Sequence, residues 1–300
     1  MRLLDWGVLR ARGADTMGFL NGQLTQEFTG LSFGSARLAG YCSAKGRLLA
    51  TFVGWRAADE EVLLACSADL LAATQKRLSM YVLRAKCRLD DASNEIRMYG
   101  LAGDAARQWL GSDAPPAAWT VARRAQAWVI GLPRVDSIDR YLLATASQAS
   151  PPELPVMDIE AWRRLEVRSA VPRITSHTVE QFVPQMVNLE VVGGVNFQKG
   201  CYPGQEIVAR SQYRGTLKRR MFLFECDSAA QPGQELFHSA EGQPAGMVVN
   251  AASNLRSGVT LLAEVKLAAL ESGTLHLSRV GGPLLRPLSL PYSLPEPAAS

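Results

Sequence analysis

The sequence predicts an α+β protein, with mixed helices and strands in its first half and a small barrel or sandwich of short strands at its end. Three observations predict it. Before residue 150, apolar runs of strand length alternate with clear helical periods. The segment ASPPELP (149–155) then interrupts the chain, because proline removes amide donors and fixes φ. Beyond residue 217, short β-like runs follow one another across glycine-containing turns such as QPGQ and EGQP. With 300 residues and 47% hydrophobic content, the chain buries a sizeable core and suits two domains better than one.

Each element follows in order. GADTMGFLNGQLTQ (13–26) reads as a turn feeding a short helix, capped by Asp15, with Phe19 and Leu20 inward. RLLATFVGW (47–55) and EVLLACS (61–67) read as neighbouring strands joined by the polar AADE turn. ADLLAATQKRLSMYVL (68–83) carries leucines at 70, 71 and 78 and reads as a helix with basic residues near its end. EIRMYGLAG (95–103) and AWVIGLP (127–133) are strand candidates, and DIEAWRRLEVRS (158–169) resumes as a helix. RRMFLFECD, QELFHS, PAGMVVNAAS, VTLLAEVKLAAL and GTLHLSR supply the terminal strands, followed by a proline-rich tail. The expected division is an N-terminal domain over 1–148, a central segment over 156–216, a C-terminal β-domain over 217–290 and a tail over 291–300.

Composition narrows the function classes. The formal charge is +4. It permits an anionic ligand or a nucleic acid but does not argue for either, because no dense Lys/Arg block occurs. Arg123-Arg124, Arg163-Arg164 and LKRR (217–220) read as solvated surface. The five cysteines, at 42, 66, 87, 201 and 226, are odd in number and widely spaced. They read as thiols of a reducing, cytoplasmic compartment, and the N-terminus lacks the pattern of a signal peptide. No apolar run of eighteen residues predicts a spanning helix. Three scattered histidines and no paired cysteines offer no zinc site, so no tightly held metal is expected. Neither GxGxxG, GxxxxGK[ST] nor a plain Ser-His-Asp pattern is present, which leaves nicotinamide, P-loop and hydrolase readings unsupported.

The chemistry concentrates in VNFQKGCYPGQEIVAR (195–210). Glycines at 193, 194, 200 and 204 define its backbone, and Pro203-Gly204 is a strong turn signal. Cys201 is read in two ways. Free cysteines are commonly buried, so one reading is a packed thiol. The other is a reactive thiolate stabilised by Lys199. His177 is the nearest base in sequence, but nothing in the spacing builds a Cys–His dyad. Cys42 lies in a Ser/Gly/Lys turn, while Cys66 and Cys87 read as packing residues. Glu166, flanked by basic side chains, would accept two N–H donors of an aminopyrimidine-like ring if it faced a cleft. A helix salt bridge explains it equally well. Gln181, Asn188 and Asn196 are candidates to supply amide groups to the same cleft.

KGCYPGQEIVAR closely resembles the signature of the YgfZ-like folate-binding proteins, relatives of the T-protein aminomethyltransferase of the glycine cleavage system. That signature has the form K-G-C-[Tyr or Phe]-x-G-Q-E, and residues 199–206 match it throughout. QFVPQMVNLEVVGGVNFQKG (181–200), GADTMGFLNGQLTQ (13–26) and AKGRLLATF (44–52) resemble neighbouring family segments. The resemblance implies a ring of mixed α/β domains around a central folate-binding cleft, followed by a C-terminal β-barrel. It implies tetrahydrofolate or a folate derivative as ligand. It also implies a link to iron–sulfur client or assembly proteins, one client being a tRNA methylthiolating enzyme. Lys199 and Cys201 match the motif positions expected to be essential, and Tyr202, Gly204, Gln205 and Glu206 complete the motif. Arg210 joins the expected cofactor-binding set.

Two departures qualify the resemblance. The aminomethyltransferases carry an aspartate pair where GRLLAT places Ala50 and Thr51, which argues against glycine cleavage itself. Relatives often have glycine where Ala170 stands in RSAVP. A single motif cysteine cannot hold a cluster, since stable clusters take about four ligands. The sequence therefore leads to a folate-binding accessory protein for iron–sulfur proteins, expected to be a cytoplasmic monomer with no membrane contact. The runner-up is a folate-dependent one-carbon transferase with another acceptor. Direct tRNA binding is a third reading, which the mild charge disfavours.

Overall fold

The first strand, β1 (Trp6–Arg12), lies inside a five-stranded sheet although Arg10 sits in its middle. Arg10 is neutralised by Glu61 at 3.3 Å and Glu95 at 2.8 Å. These partners lie far along the chain, so the strand has no clean alternating signature of its own. The computed structural model describes residues 1–213, 217–240, 242–254 and 257–295. The end of the expected tail (296–300), Glu241 of the EGQP turn and residues 214–216 at the end of the central segment lie outside the described residues. The chain forms two compact units. Unit one comprises Met1–Cys42, Leu49–Asp158 and Gly194–Pro203; unit two comprises Ser43–Leu48, Ile159–Gly193 and the chain from Gly204 onward.

In unit one, α1 (Thr16–Asn21) follows β1 and buries Phe19 and Leu20. Asp15 precedes α1 but does not cap it by its side chain. Its carboxylate instead accepts the Lys86 amide at 2.7 Å, a stronger claim from a distant turn than the cap expected from sequence. β2 (Ala36–Cys42), β3 (Leu48–Ala58), β4 (Glu61–Ser67), α2 (Ala68–Ser79) and β5 (Arg88–Asp91) complete the first layer. Its strand order is β2-β3-β4-β1-β5. β3 and β4 are apolar on both faces, as interior strands are. α2 covers the sheet with Leu70, Leu71 and Leu78. It stops at Ser79, four residues short of the expected end, where a series of turns begins.

The second sheet of unit one holds β6 (Ile96–Ala102), β7 (Val121–Arg124), β8 (Ala127–Val135) and β9 (Ile138–Ala146), ordered β6-β9-β8-β7. α3 (Gly103–Leu110) packs on it through Ala106 and Leu110, against Val129, Tyr141 and Leu143.

Unit two begins with α4 (Ile159–Arg168) and α5 (Gln205–Tyr213). Its strands are β10 (Arg219–Cys226), β11 (Glu235–His238), β12 (Pro244–Ser253), β13 (Val259–Lys266), β14 (Leu275–Leu277) and β15 (Arg286–Leu288), ordered β14-β11-β12-β13-β10-β15. The sheet curls back on itself. Just before β15 the chain bridges to β14, with Leu285 N donating to Leu275 O and Leu277 N to Pro283 O, both at 2.9 Å. A curled, barrel-like sheet is therefore what the short strands build. Phe224, Leu236, Val248, Leu261, Val265 and Leu277 fill it.

One buried charge cluster ties the 184–190 region to β10 within this unit. Arg220 meets Glu190, donates to Gln185 O at 3.1 Å, and both charged side chains are under a tenth exposed. Burial pushes the Glu190 carboxyl up, and Arg220 pulls it back down.

Candidate functional site

The signature segment starts in unit one, where side chains pin it before any chemistry is presented. The Thr25 hydroxyl donates to Gly194 O at 2.6 Å, and Asn196 N donates to Thr25 O at 2.9 Å. Asn196 Oδ1 accepts the Gln198 amide at 2.8 Å, an Asx turn that reverses the chain before Lys199.

Lys199 carries the next level of order. Its Nζ donates to the carbonyls of Asn21, of Leu24 at 3.0 Å and of Gly200 at 3.2 Å. Asn21 is the last residue of α1, and helix ends leave carbonyls without intrahelical partners. A cation there also complements the helix dipole. The same ammonium stands 4.8 Å from the centre of the Tyr202 ring. Burial pushes the Lys199 amine down to about 8, while the charges of Glu27 and Cys201 pull it back up.

Cys201 and Tyr202 then point to different fates. Tyr202 is buried, and that burial raises its phenol. Cys201 is exposed. Its exposure rules out the packed-thiol reading and leaves a reachable sulfur beside a fixed cation. The other cysteines contrast with it. Cys42, Cys66 and Cys226 are buried, and burial pushes the Cys42 thiol up to about 12. Cys87 is half-buried, 3.7 Å from the Thr16 hydroxyl.

The chain leaves unit one at Pro203, and the remainder of the signature belongs to unit two. Gly204 has φ of 78°, and a Cβ there would lie 2.3 Å from Ser43 O and 2.6 Å from Gly46 Cα. Only glycine fits, so the 43–46 turn and the start of α5 meet backbone to backbone. Gln205 and Glu206 form the first turn of α5, and Arg210 lies in its last turn. Glu206 and Arg210 are exposed at helical i, i+4 spacing. Val208 is buried, and its carbonyl accepts Gln185 Nε2 at 2.7 Å.

The other expected residues of unit two lie on separate elements. Glu166 sits on α4, half-buried, with Oε2 3.9 Å from Arg173. Gln181 is exposed, and its carbonyl accepts Arg47. Asn188 lies in the protein interior. It is fully buried, with φ of 55°. Its Nδ2 donates to Met221 O at 2.8 Å and reaches Tyr292 Oη at 3.3 Å, while Oδ1 accepts Met221 N at 3.4 Å. Its amide atoms are thus engaged inside the protein. Sequence reading missed Gln185 and Arg220, its buried neighbours; a polar residue between apolar ones, as in VPQMV, was the available signal.

Ala170 adopts a φ of 51°, a region that glycine takes more readily. Its carbonyl accepts the Tyr292 hydroxyl at 2.9 Å. Ala50 and Thr51 are buried in β3, so this strand presents no carboxylate at either position. Among the described residues no group of three His, Cys, Asp or Glu gathers as a metal site, and no helix is long and apolar enough to cross a membrane.

The chain has an aminomethyltransferase-like fold. Its fold matches that of the glycine cleavage system aminomethyltransferase T from Bartonella henselae with a TM-score of 0.76, over 97% of this chain and 84% of the other, at 15% identity. In sequence the chain is similar to a YgfZ protein. It is 27% identical to the tRNA-modifying protein YgfZ of Aliivibrio fischeri (strain MJ11), over 97% of this chain and 92% of the relative. No family model matches the sequence.

Proposed function

We propose that this protein is a folate-binding accessory factor that supports the assembly or repair of particular iron–sulfur proteins in the cytoplasm, and through them tRNA modification. The single observation that carries the reading is the folded signature: Lys199 pinned by three carbonyls, Tyr202 buried, and Cys201 left exposed between them. Such a loop presents one thiol in a fixed place, which suits transient contact with a cluster, a persulfide or a one-carbon group.

Residue chemistry within unit two supports a folate ligand. A half-buried carboxylate, Glu166, has the acceptor chemistry that an aminopyrimidine edge requires. Gln181, Gln205 and Arg210 would supply further amide and cationic groups. A bound folate would bring one-carbon chemistry. The chain's own part is to hold it and to present Cys201. A one-carbon transferase acting on another acceptor remains the second reading, favoured by the fold shared with an aminomethyltransferase.

The test is complementation. Cells lacking this protein receive the wild type, Cys201→Ala or Lys199→Ala, and tRNA methylthiolation and iron–sulfur enzyme activities are measured. Both variants are expected to fail. Full restoration by Cys201→Ala would end the assignment of Cys201 as the working group.

A further inference from the structure

Between the end of α2 and β5, residues 80–87 form a chain of turns ordered by their own backbone. Tyr81 N donates to Leu78 O at 3.0 Å and Ala85 N to Val82 O at 2.7 Å. The bond from Lys86 N to the Asp15 carboxylate fastens the far end. On this frame Met80, Tyr81 and Leu83 stand 60%, 45% and 87% exposed. Leu83 also has φ of 44°, a region that branched and bulky L residues avoid. Apolar residues scattered singly over a surface need no explanation; three within four positions on a fixed turn do.

Cations predominate along this stretch, with Asp15 at the Lys86 amide and Asp90 beside Arg88 as the neighbouring carboxylates. Lys76, Arg77, Arg84, Lys86 and Arg88 flank the apolar residues, and no Asp or Glu occurs from Leu70 to Leu89. Arg88 pairs with Asp90 at 2.7 Å, and Arg77 bonds the Tyr41 side chain. No side-chain ion pair is recorded for Lys76, Arg84 or Lys86 among the described residues.

We propose that this turn of unit one is a docking surface for an acidic, amphipathic protein segment, whose apolar side chains cover Met80 and Leu83 and whose carboxylates meet the surrounding cations. Charge complementarity selects the occupant. A second copy of the chain would set like charges together, which costs binding. Single-stranded RNA binds through aromatic stacking platforms, and Tyr81 is the only aromatic here. An amphipathic helix lays one apolar face along the membrane interface, a different geometry from this compact turn. The surface goes beyond the proposed folate site and stands or falls without it, although an accessory factor needs such a place to meet a client.

The experiment uses the full chain and a fluorescein-labelled synthetic helix with Leu on one face and Glu on the others, followed by anisotropy. Comparison probes are a scrambled peptide of the same composition, a peptide with Lys for Glu, single-stranded RNA and phosphatidylglycerol vesicles. Sedimentation reports self-association. One double variant joins Met80→Ser with Leu83→Asn, since asparagine tolerates the left-handed backbone. The other joins Arg84→Glu with Lys86→Glu. The acidic amphipathic helix is expected to bind saturably, and either double variant to weaken it about tenfold or more. The scrambled and basic peptides should bind less well by a similar factor. The proposal is overturned if the helix does not bind, if the variants or the scrambled peptide bind as well, or if RNA, vesicles or self-association prove the stronger partner. Unfolding and tetrahydrofolate titrations of both variants separate a lost surface from a lost fold or a failed folate reading.

Discussion

At the scale of single residues, Lys199 and Cys201 sit two positions apart and do different work. Lys199 satisfies carbonyls at the end of α1, so its removal leaves Asn21 and Leu24 without their donor. Lys199→Met is expected to destabilise the protein by about 2 kcal/mol in urea unfolding, the scale of lost charge-assisted hydrogen bonds. Cys201→Ala, at an exposed position, should stay within about 0.5 kcal/mol of wild type. The pH dependence follows from the Lys199 amine, held near 8 against 10.5 for an ordinary lysine. Between those values the unfolded chain binds the proton and the folded chain does not, so this group's contribution to stability rises with pH. Wild type should therefore gain stability relative to Lys199→Met from about pH 8 to pH 10; a loss over that window would contradict the assignment. The motif was legible as a motif, but its division of labour was not. Sequence placed Lys199 as a partner for the thiolate, because two of its three carbonyl acceptors, Asn21 at the end of α1 and Leu24 just beyond it, lie far back in the chain.

At the scale of elements, two positive-φ positions make opposite predictions. Gly204 begins α5 against the backbone of Ser43 and Gly46, and Gly204→Ala should cost about 3 kcal/mol or prevent folding, because no flexible side chain can move aside. Ala170 already adopts the left-handed region. Ala170→Gly should be neutral or stabilising by up to about 1 kcal/mol, as relief of strain exceeds the added chain entropy. Thermal unfolding of both variants checks the pair. Elements with local periodicity, such as α2, β4 and the strands of the curled sheet, were readable from sequence. β1 was not, because its central arginine is neutralised only by tertiary partners. The end of α2 was overshot because Val82 and Leu83 continue an apolar pattern that the backbone does not follow. Asp15 looked like a helix cap for the same local reason, while its acceptor role belongs to a distant turn.

At the scale of the whole molecule, the fold matches that of a glycine cleavage system aminomethyltransferase, and β3 of this chain presents no carboxylate at Ala50 or Thr51. The interleaving of the two units was not legible. Residues 43–48 and 194–203 each belong with chain far removed in sequence, and the signature itself divides between Pro203 and Gly204. The proline-rich break near residue 150 marked a loop but could not reveal those exchanges; the close approach of Gly46 and Gly204 brings the 43–46 turn to the start of α5.

Folate binding is the central claim, and isothermal titration of the full chain with tetrahydrofolate measures it. Saturable binding of about one folate per chain is expected, weakened about tenfold or more by Glu166→Ala, unchanged by Cys201→Ala, and without consumption of the folate. Absence of binding at millimolar folate would contradict it, as would steady turnover with glycine-derived substrate.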